Sequence, residues 1–381
     1  MKTIIKIFRL TFTISVTLGL TGLMRVTSAS AQSHHHTNTT FDSCSPAFII
    51  KAQHIIDLYR QKTGTSGIAV AFYDNSKTCI LVSGTEDGDQ QLPVTSETDF
   101  AMGSIQKIFN STLLALSIVN GKATIEDPAA KYLVGQGGTK VKQDVPFWKI
   151  SLKELVTHTS ALPGTIPGIK YRIAMNLFRD RAMGASVIQY LNTWHPQYEP
   201  GTKYNYSNLG FVLVANAAVE LGGNPYTKLL AKHISGPLGM IRTGMQCGSA
   251  TQGCAVGYDE KGNPSKKMPV GLWTTAKDML RFIEANMGDL EVPLELSKAI
   301  EETHKELFRV DSDHAIGMAW EEWHQGDSLL ISKDGLGSGF SSWIGFEPNK
   351  QRGVVILRNG GKNPSPVMLG KRLLSLSDLQ H

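Results

Sequence analysis

Apolar residues recur at helical spacing between Pro46 and Lys62, at Ile49, Ile50, Ile55, Ile56 and Tyr59, and Gly64 follows the last turn. The period then changes. Gly67–Tyr73 and Thr78–Ser83 read as strands, and Asp74-Asn75-Ser76 between them marks a hairpin. A long helix-rich middle follows: Ser104–Asn120 closed by Gly121, then Leu152–Thr157, Ala182–Leu191, Leu209–Leu221 and Tyr226–Ile234. Thr275–Ala285 and Leu294–His304 add two more helices. Strand patterns return at Ser328–Ser332, Ser341–Phe346 and Gly353–Arg358, before a last helix near Val367–Leu376. There is no internal repeat. Strands at both ends around a helical middle predict an α/β (α+β) fold. One antiparallel sheet is built from both termini, flanked by helices, with an all-helical lobe inserted. The sheet lobe is expected over about 46–95 and 255–381, and the helical lobe over about 96–254.

The first 31 residues have a different pattern. Lys2, Lys6 and Arg9 form a basic start, Leu10 to Met24 are mostly apolar, and Ala29-Ser30-Ala31 is a small-x-small cleavage site. Fifteen residues with five Thr or Ser fall short of the roughly 20 needed to span a bilayer. Residues 1–31 are therefore expected to be a cleaved secretory signal, 32–45 a flexible tail and 46–381 the catalytic domain. The His34-His35-His36 run belongs to that tail.

Composition adds mainly exclusions. With 41% hydrophobic and 19% charged residues over 381 positions, the chain is an ordinary globular protein, neither disordered nor a membrane bundle. Four of the 38 basic residues lie in the signal-like segment, which leaves 34 against 33 acidic ones, so nothing favours nucleic acid. Cys44, Cys79, Cys247 and Cys254 suit an oxidising compartment and lack zinc-ribbon spacing. Of three connectivities, Cys247–Cys254 with Cys44–Cys79 is favoured.

Three short segments carry candidate chemistry. Ser104-Ile105-Gln106-Lys107 is the only S-x-x-K in the chain and opens an apolar helix. Residues three apart share a helix face, so the hydroxyl and amine can meet. An apolar surround lowers a lysine pKa and lets the neutral amine take a proton. A serine cap followed by a solvated lysine is the commoner meaning of such a pair. Tyr206-Ser207-Asn208 follows the Glu199-Pro200-Gly201-Thr202 turn; a tyrosine near a lysine can shuttle protons, and an amide can hold a substrate carbonyl. Tyr73-Asp74-Asn75 and Tyr190-Leu191-Asn192 match the same pattern in a hairpin and a helix. Lys333-Asp334-Gly335 ends an apolar strand before Gly337-Ser338-Gly339, where glycine admits a substrate backbone closely. Lys62-Thr63-Gly64 is a decoy for this motif, read as a helix end.

The order Ser-x-x-Lys, Tyr-x-Asn, Lys-x-Gly resembles the serine β-lactamases and penicillin-binding enzymes, and the tyrosine points to class C β-lactamases and their D-alanyl-D-alanine carboxypeptidase relatives. The likeness extends through Thr157-His158-Thr159-Ser160, the Trp194–Thr202 segment, Pro237-Leu238-Gly239-Met240, Thr274–Met279, Phe346-Glu347-Pro348 and Asn363-Pro364. It implies Ser104 as nucleophile, Lys107 as its activating lysine and Tyr206 as the proton-relay tyrosine. Asn208 and Lys333 would bind substrate, and the backbone N–H groups of Ser104 and Leu336 would form an oxyanion hole. Gly335 completes the third motif. Asp334 departs from the family's Thr or Ser and would face an anionic substrate. The stretches Trp320–Lys333 and Tyr258–Trp273 are shorter than in class C enzymes, which opens one side of the cleft.

The expected activity is opening of a β-lactam through a Ser104 acyl-enzyme in a periplasmic monomer, with no cofactor and no metal. The substrate would be a small-molecule β-lactam or cell-wall peptide. The alternatives are a D-alanyl peptidase, an esterase, and a penicillin-binding sensor that never turns over.

Overall fold

The computed structural model describes residues 44–87, 91–166, 183–248, 253–259, 261–265, 268–360 and 365–376. The signal-like segment, the His34-His35-His36 run and Asn363-Pro364 lie outside the described residues.

Strand β1 (Thr65–Asp74) carries an unbroken apolar run from Ile68 to Tyr73 because both its faces are covered. Ile68, Val70 and Phe72 enter one core; Ala69, Ala71 and Tyr73 enter the other. β2 (Lys77–Asp87) returns antiparallel through a turn whose Asn75 and Ser76 both have positive φ, and β3 (Leu92–Pro93) follows. Short pairings join β4 (Phe100–Ala101) to β7 (Trp273–Thr274), and β5 (Val134–Gly135) to β6 (Thr139–Lys140). The C-terminal part supplies β8 (Phe308–Arg309), β9 (His314–Ile316), β10 (Glu321–Gln325), β11 (Ser328–Gly337), β12 (Phe340–Glu347) and β13 (Arg352–Gly360). They complete a nine-stranded sheet in the order β3-β2-β1-β13-β12-β11-β10-β9-β8. β1 pairs antiparallel with β13, so the two ends of the chain meet mid-sheet, as the strand pattern predicts.

One face of the sheet is covered by the helices Pro46–Thr63 and Val367–Leu374, whose Phe48, Ile55, Ile56, Leu369 and Leu373 form a core with Trp343. The first of these starts cleanly: Ser45 Oγ accepts the Phe48 N–H at 3.2 Å and Pro46 occupies the first turn. It ends at Gly64 with φ 68, so Lys62-Thr63-Gly64 is indeed a helix terminus. A Cys44–Cys79 disulfide ties its start to β2, and Cys247–Cys254 forms the second expected bridge. The other face carries a larger core built from Gln106–Val119, Asn208–Gly222, Ala276–Asn286 and Leu294–Thr303, with Phe109 stacked on Phe282 at 4.6 Å. The helix Gln106–Val119 is buried nearly all round. Among the described residues no helix is long and apolar enough to cross a membrane.

The structure differs from the pattern in four places. The segment Gly103–Ile105 is a 3₁₀ turn, and the α-helix starts only at Gln106. The helix from Tyr226 ends at Leu230 and continues as a π turn, Ala231–Ser235. β11 runs on to Gly337, so Lys333-Asp334-Gly335 lies within a strand rather than at its end. β8 to β10 had no sequence signal, since Glu321–Gln325 lacks apolar alternation.

Candidate active site

The turn carrying Ser104 is pressed against β11. Gly103 has φ +56, and a Cβ there would stand 2.8 Å from the Leu336 nitrogen. A Cβ on Gly335 would stand 2.2 Å from the Met102 carbonyl oxygen and 3.0 Å from the Ser104 nitrogen. Both glycines are therefore required by a backbone-to-backbone approach that side chains would prevent. The Ser342 hydroxyl reinforces it, donating to the Met102 carbonyl at 2.7 Å.

Ser104 Oγ lies 3.0 Å from Lys107 Nζ and 2.6 Å from the Tyr206 hydroxyl. Lys107 Nζ also donates to Asn208 Oδ1 at 2.8 Å and sits 4.9 Å from the Tyr206 ring centre. Lys107 is only 6% exposed. Burial first, then the Lys333 ammonium, pulls its pKa down to about 7, with Asp334 acting in the opposite sense. A lysine poised there exchanges a proton near neutral pH.

Tyr206 and Asn208 are set by a hydrogen-bonded loop. Ser207 caps the helix Asn208–Gly222, its Oγ accepting the Gly210 N–H at 3.0 Å and donating to the Pro163 carbonyl at 2.7 Å. The Ser207 N–H donates to His158 Nδ1 at 3.0 Å, and the His158 ring stacks on Tyr206 at 4.3 Å. Burial, then Lys333 and Lys107, holds His158 well below the usual imidazole range, so it is neutral. The sequence marks His158 only by the family-like polar run Thr157-His158-Thr159-Ser160, all four of which the fold buries.

Lys333 is 2% exposed, 5.3 Å from the Tyr206 ring centre, and bonded to Glu321 Oε1 at 3.2 Å. Burial would raise Glu321, but His314 and Lys333 more than offset it and hold its pKa at about 2. Glu321 escaped the sequence reading because its partner lies on the next strand. Asp334 accepts the Ser365 hydroxyl at 3.2 Å and is not paired with Lys333. It lines, with Ser104, Lys107, Tyr206, Asn208 and Leu336, a cleft of about 520 Å³. Leu336 is 45% exposed at that cleft. The other two candidates stand behind the lining, Lys333 against the Tyr206 ring and Gly335 against the Ser104 backbone. The decoys lie elsewhere: Tyr73-Asp74-Asn75 ends in the hairpin turn and Tyr190-Leu191-Asn192 lies within the helix Ala185–Thr193.

The family model for beta-lactamase matches residues 52–377. A beta-lactamase of Pseudomonas fluorescens is 28% identical over 359 residues, covering 84% of this chain and 95% of the relative. Among solved structures, a class C beta-lactamase superposes with a TM-score of 0.77 at 25% identity, over 87% of this chain and 97% of the other. A structure named D-alanine carboxypeptidase, from Burkholderia cenocepacia, superposes at 0.74 with 25% identity, over 86% and 98%.

Proposed function

The chain belongs to the beta-lactamase family, and from that premise we propose that it is an exported serine hydrolase that opens β-lactams through a Ser104 acyl-enzyme. The observation that carries this reading is the meeting of Ser104 Oγ with Lys107 Nζ and the Tyr206 hydroxyl at 3.0 and 2.6 Å. A hydroxyl needs a base to become a nucleophile at neutral pH. With its pKa near 7, Lys107 has a substantial neutral fraction to accept that proton, directly or through Tyr206.

In the proposed cycle Ser104 Oγ bonds to the lactam carbonyl carbon while its proton enters the Lys107–Tyr206 pair. The developing oxyanion takes hydrogen bonds from the backbone N–H groups of Ser104 and Leu336, a type of contact worth several kcal/mol of barrier. The C–N bond then breaks and the nitrogen takes the proton back. Water, activated by the same pair, releases the opened product. Asn208 would hold the substrate amide, and the Lys333 ammonium would keep the Tyr206 region electropositive. Two disulfides and the basic, apolar start of the chain support export.

The likeness to a structure named D-alanine carboxypeptidase supports a second reading, hydrolysis of D-alanyl peptides by the same residues. Burst and steady-state rates with a chromogenic cephalosporin, beside those with a D-Ala-D-Ala peptide, separate the two. Turnover of the cephalosporin and not the peptide is expected. Peptide turnover alone would assign a peptidase, and a burst without turnover a sensor.

A further inference from the structure

Away from the cleft, Glu306, Glu322 and His324 bring one ligand atom each to within 4.8 Å of one another. Glu322 and His324 lie two apart on β10, on the same face of the strand, and Glu306 reaches them from the segment that follows the helix Leu294–Thr303. Glu322 is 2% exposed, and its Oε1 has no hydrogen-bond partner. His324 Nε2 is likewise buried and unpartnered, 3.9 Å from Glu322 Oε2, too far for a hydrogen bond between them. A buried carboxylate normally finds a donor or a cation, because leaving it bare costs several kcal/mol. This one faces an imidazole nitrogen and a second carboxylate instead.

We infer that Glu306, Glu322 and His324 form a binding site for a divalent cation of the zinc class, fastening β10 to the segment before β8. The imidazole decides the class: calcium and magnesium take all-oxygen shells, whereas an imidazole beside two carboxylates is a donor set that zinc and its transition-metal neighbours accept. Ligand atoms around a tetrahedral zinc with bonds of about 2.0 Å stand roughly 3.3 Å apart, so small side-chain rotations close the set. Arg309 holds Glu306 now, its Nε donating to Oε1 at 2.9 Å and its Nη2 to Oε2. A carboxylate has about four lone-pair positions, so one Glu306 oxygen can keep Arg309 and still turn to a metal. His324 retains 32% side-chain exposure, which gives a hydrated ion a route in.

The test must first remove the other imidazoles that attract zinc. In full-length protein with His34, His35 and His36 changed to Ala, zinc chloride is titrated and bound metal counted after equilibrium dialysis. One equivalent should bind, and zinc should raise the unfolding midpoint. In the same background Glu322→Gln and His324→Ala should each weaken binding by about tenfold or more and remove the midpoint shift. In chelator both variants should still unfold cooperatively, Glu322→Gln at or above the parent's midpoint because the bare buried carboxylate is gone, which shows that both fold. Equal zinc uptake by parent and both variants, or no uptake by the parent, would overturn the site.

Discussion

Glu321 and Lys333 meet across the β10–β11 ladder at 3.2 Å, and the contact compensates an ammonium that the sheet buries almost completely. With His314 as its other partner, Glu321 becomes a contributor to stability over a defined pH range. Its pKa lies near 2 in the folded protein against an ordinary 4.5. A depressed carboxylate contributes fully above its unfolded pKa and loses that contribution as pH falls through the folded one. Between pH 4.5 and 2 the native protein should therefore lose about 3 kcal/mol through this group.

Glu321→Gln should show that loss already at pH 7. Removing one partner of a buried pair costs roughly 3–5 kcal/mol, and the lower end applies because Glu321 keeps 22% side-chain exposure. Urea denaturation of both proteins from pH 7 to pH 2 measures it. The gap between them should narrow as pH falls; a constant gap would mean that Glu321 acts by packing alone.

The pH dependence of acylation should have its origin in Lys107. With a pKa near 7, the amine is mostly neutral above that value and mostly charged below it. If the neutral amine starts the proton transfer, the rate of covalent labelling by a fluorescent penicillin should fall about tenfold per pH unit below that point. Ser104→Ala should abolish labelling at every pH and leave thermal unfolding nearly unchanged. A flat labelling profile from pH 5 to 8 would remove Lys107 from the role of base.

Lys107→Ala and Tyr206→Phe should each slow acylation by roughly 10²–10⁴-fold. Both groups touch the same Ser104 oxygen and each other's surroundings, so they act on one proton. Groups that act as a unit give losses far from additive. Stopped-flow acylation rates for the double variant should resemble the worse single variant. A loss equal to the product of the two would mean separate roles.

The parts of this site that could be read in the sequence are those set locally or by order. Ser104 and Lys107 lie three residues apart, so their meeting follows from helical geometry whether the first turn is α or, as here, 3₁₀. Tyr206 follows a turn and precedes a strongly apolar helix, which separates it from Tyr73 and Tyr190. The strands at both ends announced the sheet because their apolar runs are buried on both faces. What could not be read depends on contacts between distant segments. Glu321 stands opposite Ser332 across two strands, and only one of those strands has an apolar pattern. His158 gains its place by stacking on a tyrosine 48 positions away. The extension of β11 through Gly335 likewise follows from its ladder to β12, where Gly335 stands opposite Ser342.

The same ladder gives Asp334 its interest. It lines the cleft near Lys107, yet Lys333 is held by Glu321, so the adjacent lysine does not neutralise it. Its contact is the Ser365 hydroxyl at 3.2 Å, a neutral donor that leaves the charge in place. Two like charges in close contact at an effective dielectric near 20 repel by about 4 kcal/mol. A substrate carboxylate bound beside Leu336 would feel part of that repulsion. Asp334→Thr should therefore raise kcat/KM for carboxylate-bearing β-lactams by roughly tenfold, equal to about 1.4 kcal/mol of barrier. A neutral ester, turned over by the same serine, should gain little. The ratio of the two rate changes is the measurement that decides. Equal changes would mean that Asp334 shapes the cleft without opposing the charge of what enters it.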